Sequence, residues 1–478
     1  MRKATLALII CLSIQAASIH AACKSEACKK AVAWKNGYTA IVLDDNISRA
    51  DYLAVLDAVK ANHGVVAIEA ERVLLGWVPV TTAGKIRATR GVSAVLYDAV
   101  ARPADLVHRE DALAALSFFN RVQTGEFEDT VEAGLAVTVP PLTGCVRANP
   151  ASSPTHLQSL PSTSFDSHAI DETASVLKVE RTPADGEDPL KLQHLPGVIS
   201  PKWGWFQTPY RNTQMRGRIT VQLFNLDSDG SIDPNLYTWT TADYGTSRNQ
   251  VFGAFTFWVD QATARGITLS FRVQTEDPFS QHTRSFFPTP THYEPITHSV
   301  GDDYLWMNDA LLAHGYGSSP ITSSNVYTQN EAFNLAMAAD PVYGPYDGSF
   351  TVYLVYDPDP GHNLFTDGTN AYVGFLGGPY ATVLWDSGGW GPANIGRVLA
   401  HETGHIFWAC DEYLSGCFTC FYCAFNVGPR NQVQTPWVTN ANCENPSATG
   451  SCDVPLTFCM MKNDDYVLCP HTPGQIGW

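Results

Sequence analysis

NIGRVLAHETGHIFWACDEY, residues 394–413, decides how the rest of the chain is read. Ile395, Val398 and Leu399 recur at helical spacing ahead of His401, so a helix is expected from near Asn394. Two histidines four residues apart, His401 and His405, fall one turn from each other on one helix face, where both imidazoles can grip one cation. Glu402 stands beside them, placed to take a proton from water activated by that cation. Asp411 follows six residues after His405, enough chain to leave the helix, turn and return a carboxylate. The plain alternative is a pair of surface histidines on an ordinary helix.

Outward from this stretch the chain reads as α/β. Arg218–Leu223, Leu269–Val273 and Phe350–Val355 read as strands. Ser247 is expected to cap a helix carrying Val251, Phe255, Trp258, Val259 and Ala262 on one face, and Gly266 to end it. Ala371–Leu384 reads as one extended, Gly-interrupted edge segment. Strands alternating with helices imply a mixed, mostly parallel sheet. Nearer the start, Tyr38–Leu43, a helix opened by Ser48 with Asp51, Val65–Ile68, Val73–Val78, a helix Thr82–Arg90 and Val92–Tyr97 give the order β-α-β-β-α-β. A helix at Glu110–Arg121 follows, and then a Pro/Ser-rich stretch reads as a linker.

The 478 residues carry 30 Lys and Arg against 47 Asp and Glu, a net charge of −17, which argues against nucleic acid or anionic lipid as a partner. Arg2 and Lys3 precede an apolar run too short to span a bilayer, Ala4–Ile14, and small residues surround Ala21 and Ala22. This reads as a cleaved signal peptide and places the mature chain outside the cell or in the periplasm. Eight of the 12 cysteines lie between Cys410 and Cys469, a density that in an exported chain reads as disulfides. Eight cysteines allow on the order of a hundred pairings, and the sequence does not choose among them. Cys417, Cys420 and Cys423 are spaced so that they could bind metal instead. Asp227–Asp233 resembles part of a calcium loop without its bidentate Glu, so a solvated turn is favoured and calcium stays a weak expectation.

The run His401–Asp411 resembles the elongated zinc motif of the metzincin metallopeptidases, in the variant with Asp as third ligand. The resemblance implies one catalytic zinc held by His401, His405 and Asp411, with Glu402 as general base. It also implies a methionine turn, for which Met461 is the choice and Met460 the fallback. Tyr466 is a candidate for supporting the oxyanion, with a packing role equally open. The family places Gly where this chain has Trp408, at a sharp turn after the second His. A bulky residue at positive φ is strained by about 1–2 kcal/mol. Either the turn differs here or the third ligand moves to Glu412, with Cys410 a further candidate. The N-terminal β-α-β-β-α-β unit resembles the ferredoxin-like propeptides that precede secreted proteases.

The resulting expectation is a signal peptide over 1–22, a ferredoxin-like propeptide unit over 23–138, a linker over 139–194 and a metzincin-like domain over 195–478 with a Cys-rich insertion at 410–469. The function expected is secreted zinc endopeptidase activity on protein or peptide substrates, restrained by the chain's own propeptide. A zinc-binding adhesion module on a degenerate peptidase fold is the alternative. Cell-wall peptide is the third option, as a different substrate for the same hydrolase.

Overall fold

The computed structural model describes residues 37–107, 110–124, 212, 214–275, 288–316, 320–340, 343–359, 362–374, 377–412 and 458–478. The expected signal peptide and linker, Cys23, Cys28, Cys145 and the Cys417–Cys423 run lie outside the described residues. The strands are β1 (Tyr38–Leu43), β2 (Val65–Ala70), β3 (Val73–Trp77), β4 (Val92–Leu96), β5 (Gly217–Ser228), β6 (Leu269–Gln274), β7 (Thr289–Thr291), β8 (Gly348–Val355), β9 (Ala371–Val373) and β10 (Tyr380–Leu384). The helices are α1 (Arg49–Ala61), α2 (Ala83–Arg87), α3 (Glu110–Thr124), α4 (Thr241–Thr263), α5 (Tyr304–Ala313), α6 (Val326–Ala338), α7 (Ile395–Ile406), α8 (Met460–Asn463) and α9 (Thr472–Gln475). The chain is α/β, with a mixed sheet.

All ten strands join one sheet, in the order β4-β1-β3-β2-β6-β5-β8-β10-β9, with β7 beside β5. The N-terminal four pair antiparallel, whereas β6, β5, β8 and β10 run parallel. The two halves meet where β2 pairs parallel with β6, Ile68 opposite Phe271 and Glu69 opposite Arg272. No seam separates them: Tyr38, Ala40 and Val42 share one core with Phe252, Phe255 and Phe271.

Strand periodicity sorts the side chains into layers. Along β8, Phe350, Val352 and Leu354 point toward the core under α4 and α7, and Tyr353 and Val355 toward the core under α5 and α6. Both faces are covered, so these strands are buried on both sides. Along β1, Ile41 and Leu43 face α1 and α2.

Glu69 sits at the junction of the two halves, 1% exposed, and accepts from Arg218 Nη2 at 2.8 Å, Tyr52 Oη at 2.5 Å and Ser270 Oγ at 3.1 Å. Burial works to raise its pKa, but the Arg218 guanidinium outweighs that and holds the carboxyl below its ordinary value. Arg272 lies over the Tyr343 ring, 3.6 Å from its centroid.

Two expectations need correction. Ser247 does not cap α4: it is inside the helix, fully buried, with its hydroxyl donating to the Tyr244 carbonyl. The cap is Thr240, seven residues earlier, whose Oγ1 accepts from Asp243 N–H. Ala371–Leu384 is not one extended segment. It breaks into β9 and β10, which pair antiparallel, and β9 is the outermost strand of that edge.

Candidate metal centre

Helix α7 carries the candidate site and lies against α4. Gly396 lets the two approach: a Cβ there would come within 2.7 Å of the Gln250 carbonyl oxygen. Gln250 Oε1 also accepts from Gly396 N–H at 3.2 Å, supplying the helix start with a partner that Asn394 does not give. Trp258 Nε1–H donates to the Ala400 carbonyl at 3.0 Å and ties the middle of α7 to α4.

His401, Glu402 and His405 are all buried, 4%, 7% and 6% exposed. After α7 the chain turns at Trp408, whose φ is +74°, so a tryptophan holds the left-handed position and bears the strain that glycine would avoid. Its ring lies directly against Gly377, where a side chain would have no room. Gly377 N–H donates to the His405 carbonyl at 2.8 Å. The turn returns Asp411, not Glu412, to the histidines. Asp411 Oδ1 lies 2.9 Å from His401 Nε2 and 3.1 Å from His405 Nε2, and the two Nε2 atoms are 3.0 Å apart. Glu412 turns the other way: its Oε1 accepts from Cys469 Sγ at 2.9 Å and Thr472 Oγ1 at 3.1 Å. Cys410 is disulfide-bonded.

The outer ring nitrogens are fixed by acceptors. His401 Nδ1 lies 2.9 Å from the Met460 carbonyl and 2.8 Å from Asp464 Oδ1, and His405 Nδ1 lies 2.7 Å from the Ala409 carbonyl. Acceptors on that side assign the proton to Nδ1 in each ring. Both Nε2 lone pairs then converge, with a carboxylate oxygen, on one point. The three atoms form a triangle with edges near 3 Å, close enough to share one cation. Zinc–ligand distances of about 2.0–2.1 Å in a tetrahedron give edges of about 3.3 Å. The donor set therefore fits a zinc ion with three protein ligands.

Burial would raise Asp411, but His405 and His401 outweigh it and hold the carboxyl well below its ordinary value. Burial pushes Glu402 up to about 7, against the pull of His405 and His401.

Met461 packs beneath the histidines: a Cβ added at Gly404 would collide with its Sδ. Met460 contributes only its carbonyl. Tyr466 is placed elsewhere. Its ring packs on Phe257 at 5.2 Å, and its hydroxyl lies against Gly396 in the first turn of α7, more than a turn from His401. Asp464, which the sequence reading passed over, orients His401 from a left-handed backbone position, φ +53°. The one local signal is its place three residues after Met461.

Among the described residues, two groups of three side chains converge closely enough to hold a metal, His401–His405–Asp411 and Glu412–Cys459–Cys469. The Asp227–Asp233 stretch forms neither; Asp229 Oδ1 accepts from Ser231 N–H and Asp233 Oδ2 pairs with His298 Nε2. Among the described residues no helix is long and apolar enough to cross a membrane. No family model matches the chain, and neither a curated protein nor a solved structure matches it.

Proposed function

We propose that the protein is an exported, zinc-dependent endopeptidase of metzincin-like architecture. One observation carries the reading: three buried donor atoms, His401 Nε2, His405 Nε2 and Asp411 Oδ1, lie within 4.8 Å of one another, with both Nδ1 positions already taken by acceptors. Glu402 beside them separates an enzyme from a module that only binds, since binding needs no base.

His401, His405 and Asp411 would hold the ion. A bound zinc supplies Lewis acidity, polarising the scissile carbonyl and acidifying water. Glu402 takes the proton of the attacking water and delivers it to the leaving amine; its burial raises its basicity toward neutrality. The Met460, Asp464 and Ala409 acceptors keep the imidazoles in one tautomer and orientation. Strand β9 is the edge strand of the sheet among the described residues and packs against α7, where an extended substrate would pair by strand addition.

The strands of the N-terminal β-α-β-β-α-β unit lie in the order β4-β1-β3-β2. Its strands continue the catalytic sheet at the end opposite β9, and its core is shared, which supports an integral supporting layer over an inhibitor seated in the cleft.

The test is Glu402→Gln assayed on casein or a peptide library with zinc content measured in parallel. Hydrolysis should fall by about 10²–10⁴-fold with zinc retained. Unchanged hydrolysis would end the mechanism, and one bound zinc without cleavage by the native chain would favour the adhesion module.

A further inference from the structure

Behind the methionine turn a second cluster converges. Cys459, Cys469 and Glu412 are 0%, 2% and 0% exposed, and their reactive atoms lie within 4.8 Å of one another. The two sulfurs share their surroundings. Cys469 N–H donates to Cys459 Sγ at 3.2 Å, and Thr472 Oγ1 lies 3.1 Å from Cys459 Sγ and 3.3 Å from Cys469 Sγ. The His471 and Thr472 N–H groups donate to Cys469 Sγ at 3.3 and 3.4 Å, which favours its thiolate. Among the described residues a metal would find two sulfurs, one carboxylate and the Thr472 hydroxyl, and a hydroxyl is not among the ligands of a closed zinc site. Cys410, whose N–H donates to Gln475 Oε1 at 2.8 Å on the same side of α9, is already oxidised.

We propose that Cys459 and Cys469 form a disulfide that staples the 460–468 loop. That loop carries the Met460 carbonyl, Met461 and Asp464, the three groups that touch His401 or Gly404. The staple holds the back wall of the metal centre in place, and the inference stands whether or not the centre is a peptidase. The oxidant is a small or protein disulfide. The Cys469 thiolate attacks its S–S bond and expels one thiolate. The Cys459 thiolate then attacks the Cys469 sulfur of the mixed disulfide and expels the second. One S–S bond forms and one breaks. The two cysteines give up two electrons and two protons, and the oxidant leaves as two thiols.

The experiment refolds the purified full chain in a glutathione redox buffer, unfolds it in denaturant with iodoacetamide present, and maps the peptides by mass spectrometry. The expected product is a Cys459–Cys469 cross-linked pair, two hydrogens lighter than the free peptides and resistant to dithiothreitol until the chain unfolds. Carbamidomethyl groups on both cysteines, a link from either to another cysteine, or thiols protected by a metal that a chelator releases would each overturn the proposal. Amide exchange supplies a second reading. Closing so short a loop should raise protection across 460–464 by about a hundredfold relative to the Cys459→Ser/Cys469→Ser double variant. Equal protection would show that the bond staples nothing.

Discussion

Asp464 gives the sharpest test of how the proposed metal centre would be held. Its carboxylate and the Met460 carbonyl share the His401 Nδ1 proton at 2.8 and 2.9 Å. Removing an outer partner of a metal-binding His costs about 10–100-fold in affinity. Here the Met460 carbonyl remains after Asp464 is removed, so the expected loss lies at the low end, about tenfold or 1.4 kcal/mol. Two substitutions separate charge from backbone. Asp464→Asn keeps a residue that tolerates φ +53° and an oxygen that can accept, so it loses only the charge and should weaken zinc binding by less than tenfold. Asp464→Ala removes the acceptor and places alanine in the left-handed region, adding about 1 kcal/mol of strain. Zinc affinity is measured by competition with a chromophoric chelator at fixed pH, and thermal unfolding of each metal-free variant reports the strain separately. If Asp464→Ala binds zinc as tightly as the native chain, the carboxylate does not orient His401 and the reasoning is refuted.

Other perturbations test the frame around the centre. Gly396→Ala pushes a Cβ to 2.7 Å from the Gln250 carbonyl, a backbone atom that cannot swing away; α7 should separate from α4 at a cost of about 1–3 kcal/mol, read in urea denaturation. Arg218→Ala leaves Glu69 buried without its cation, and about 3 kcal/mol should be lost from one unfolding transition of both halves; a separate early transition of the N-terminal unit would show that the halves fold independently. Asp357 supplies a test by pH. Burial pushes its carboxyl up to about 8, so between about pH 4 and 8 the folded state binds a proton that the unfolded state has released. Stability therefore falls as pH rises through that window, by up to about 1.4 kcal/mol per pH unit from this group. Asp357→Asn should flatten that slope; identical slopes in the two proteins would refute the assignment.

What the sequence disclosed and what it hid follow from the range of the interactions. Helix α7 was legible because its evidence is local: Ile395, Val398 and Leu399 set the period, and two histidines one turn apart set the chemistry. The order of the N-terminal unit was legible for the same reason, from a Ser48 cap bonded to Asp51 and alternating apolar residues. Its attachment was not, because β2 meets β6 across about 200 residues and nothing in either strand names the other. Helix α5 was missed because it is apolar on nearly every side, and α6 because its polar residues face inward. Asn330 donates to its own helix and accepts from Tyr353 Oη, and Asn334 bonds Thr351 and the Pro379 carbonyl. Inward polar residues erase the amphipathic signal without weakening the helix. The choice between Asp411 and Glu412 belongs to the same class. Both carboxylates follow the turn, and only the left-handed backbone at Trp408 aims one at the histidines and the other at Cys469 and Thr472. The backbone at one residue thus goes with which of two adjacent acids meets the histidines, and sequence spacing alone carries no record of it.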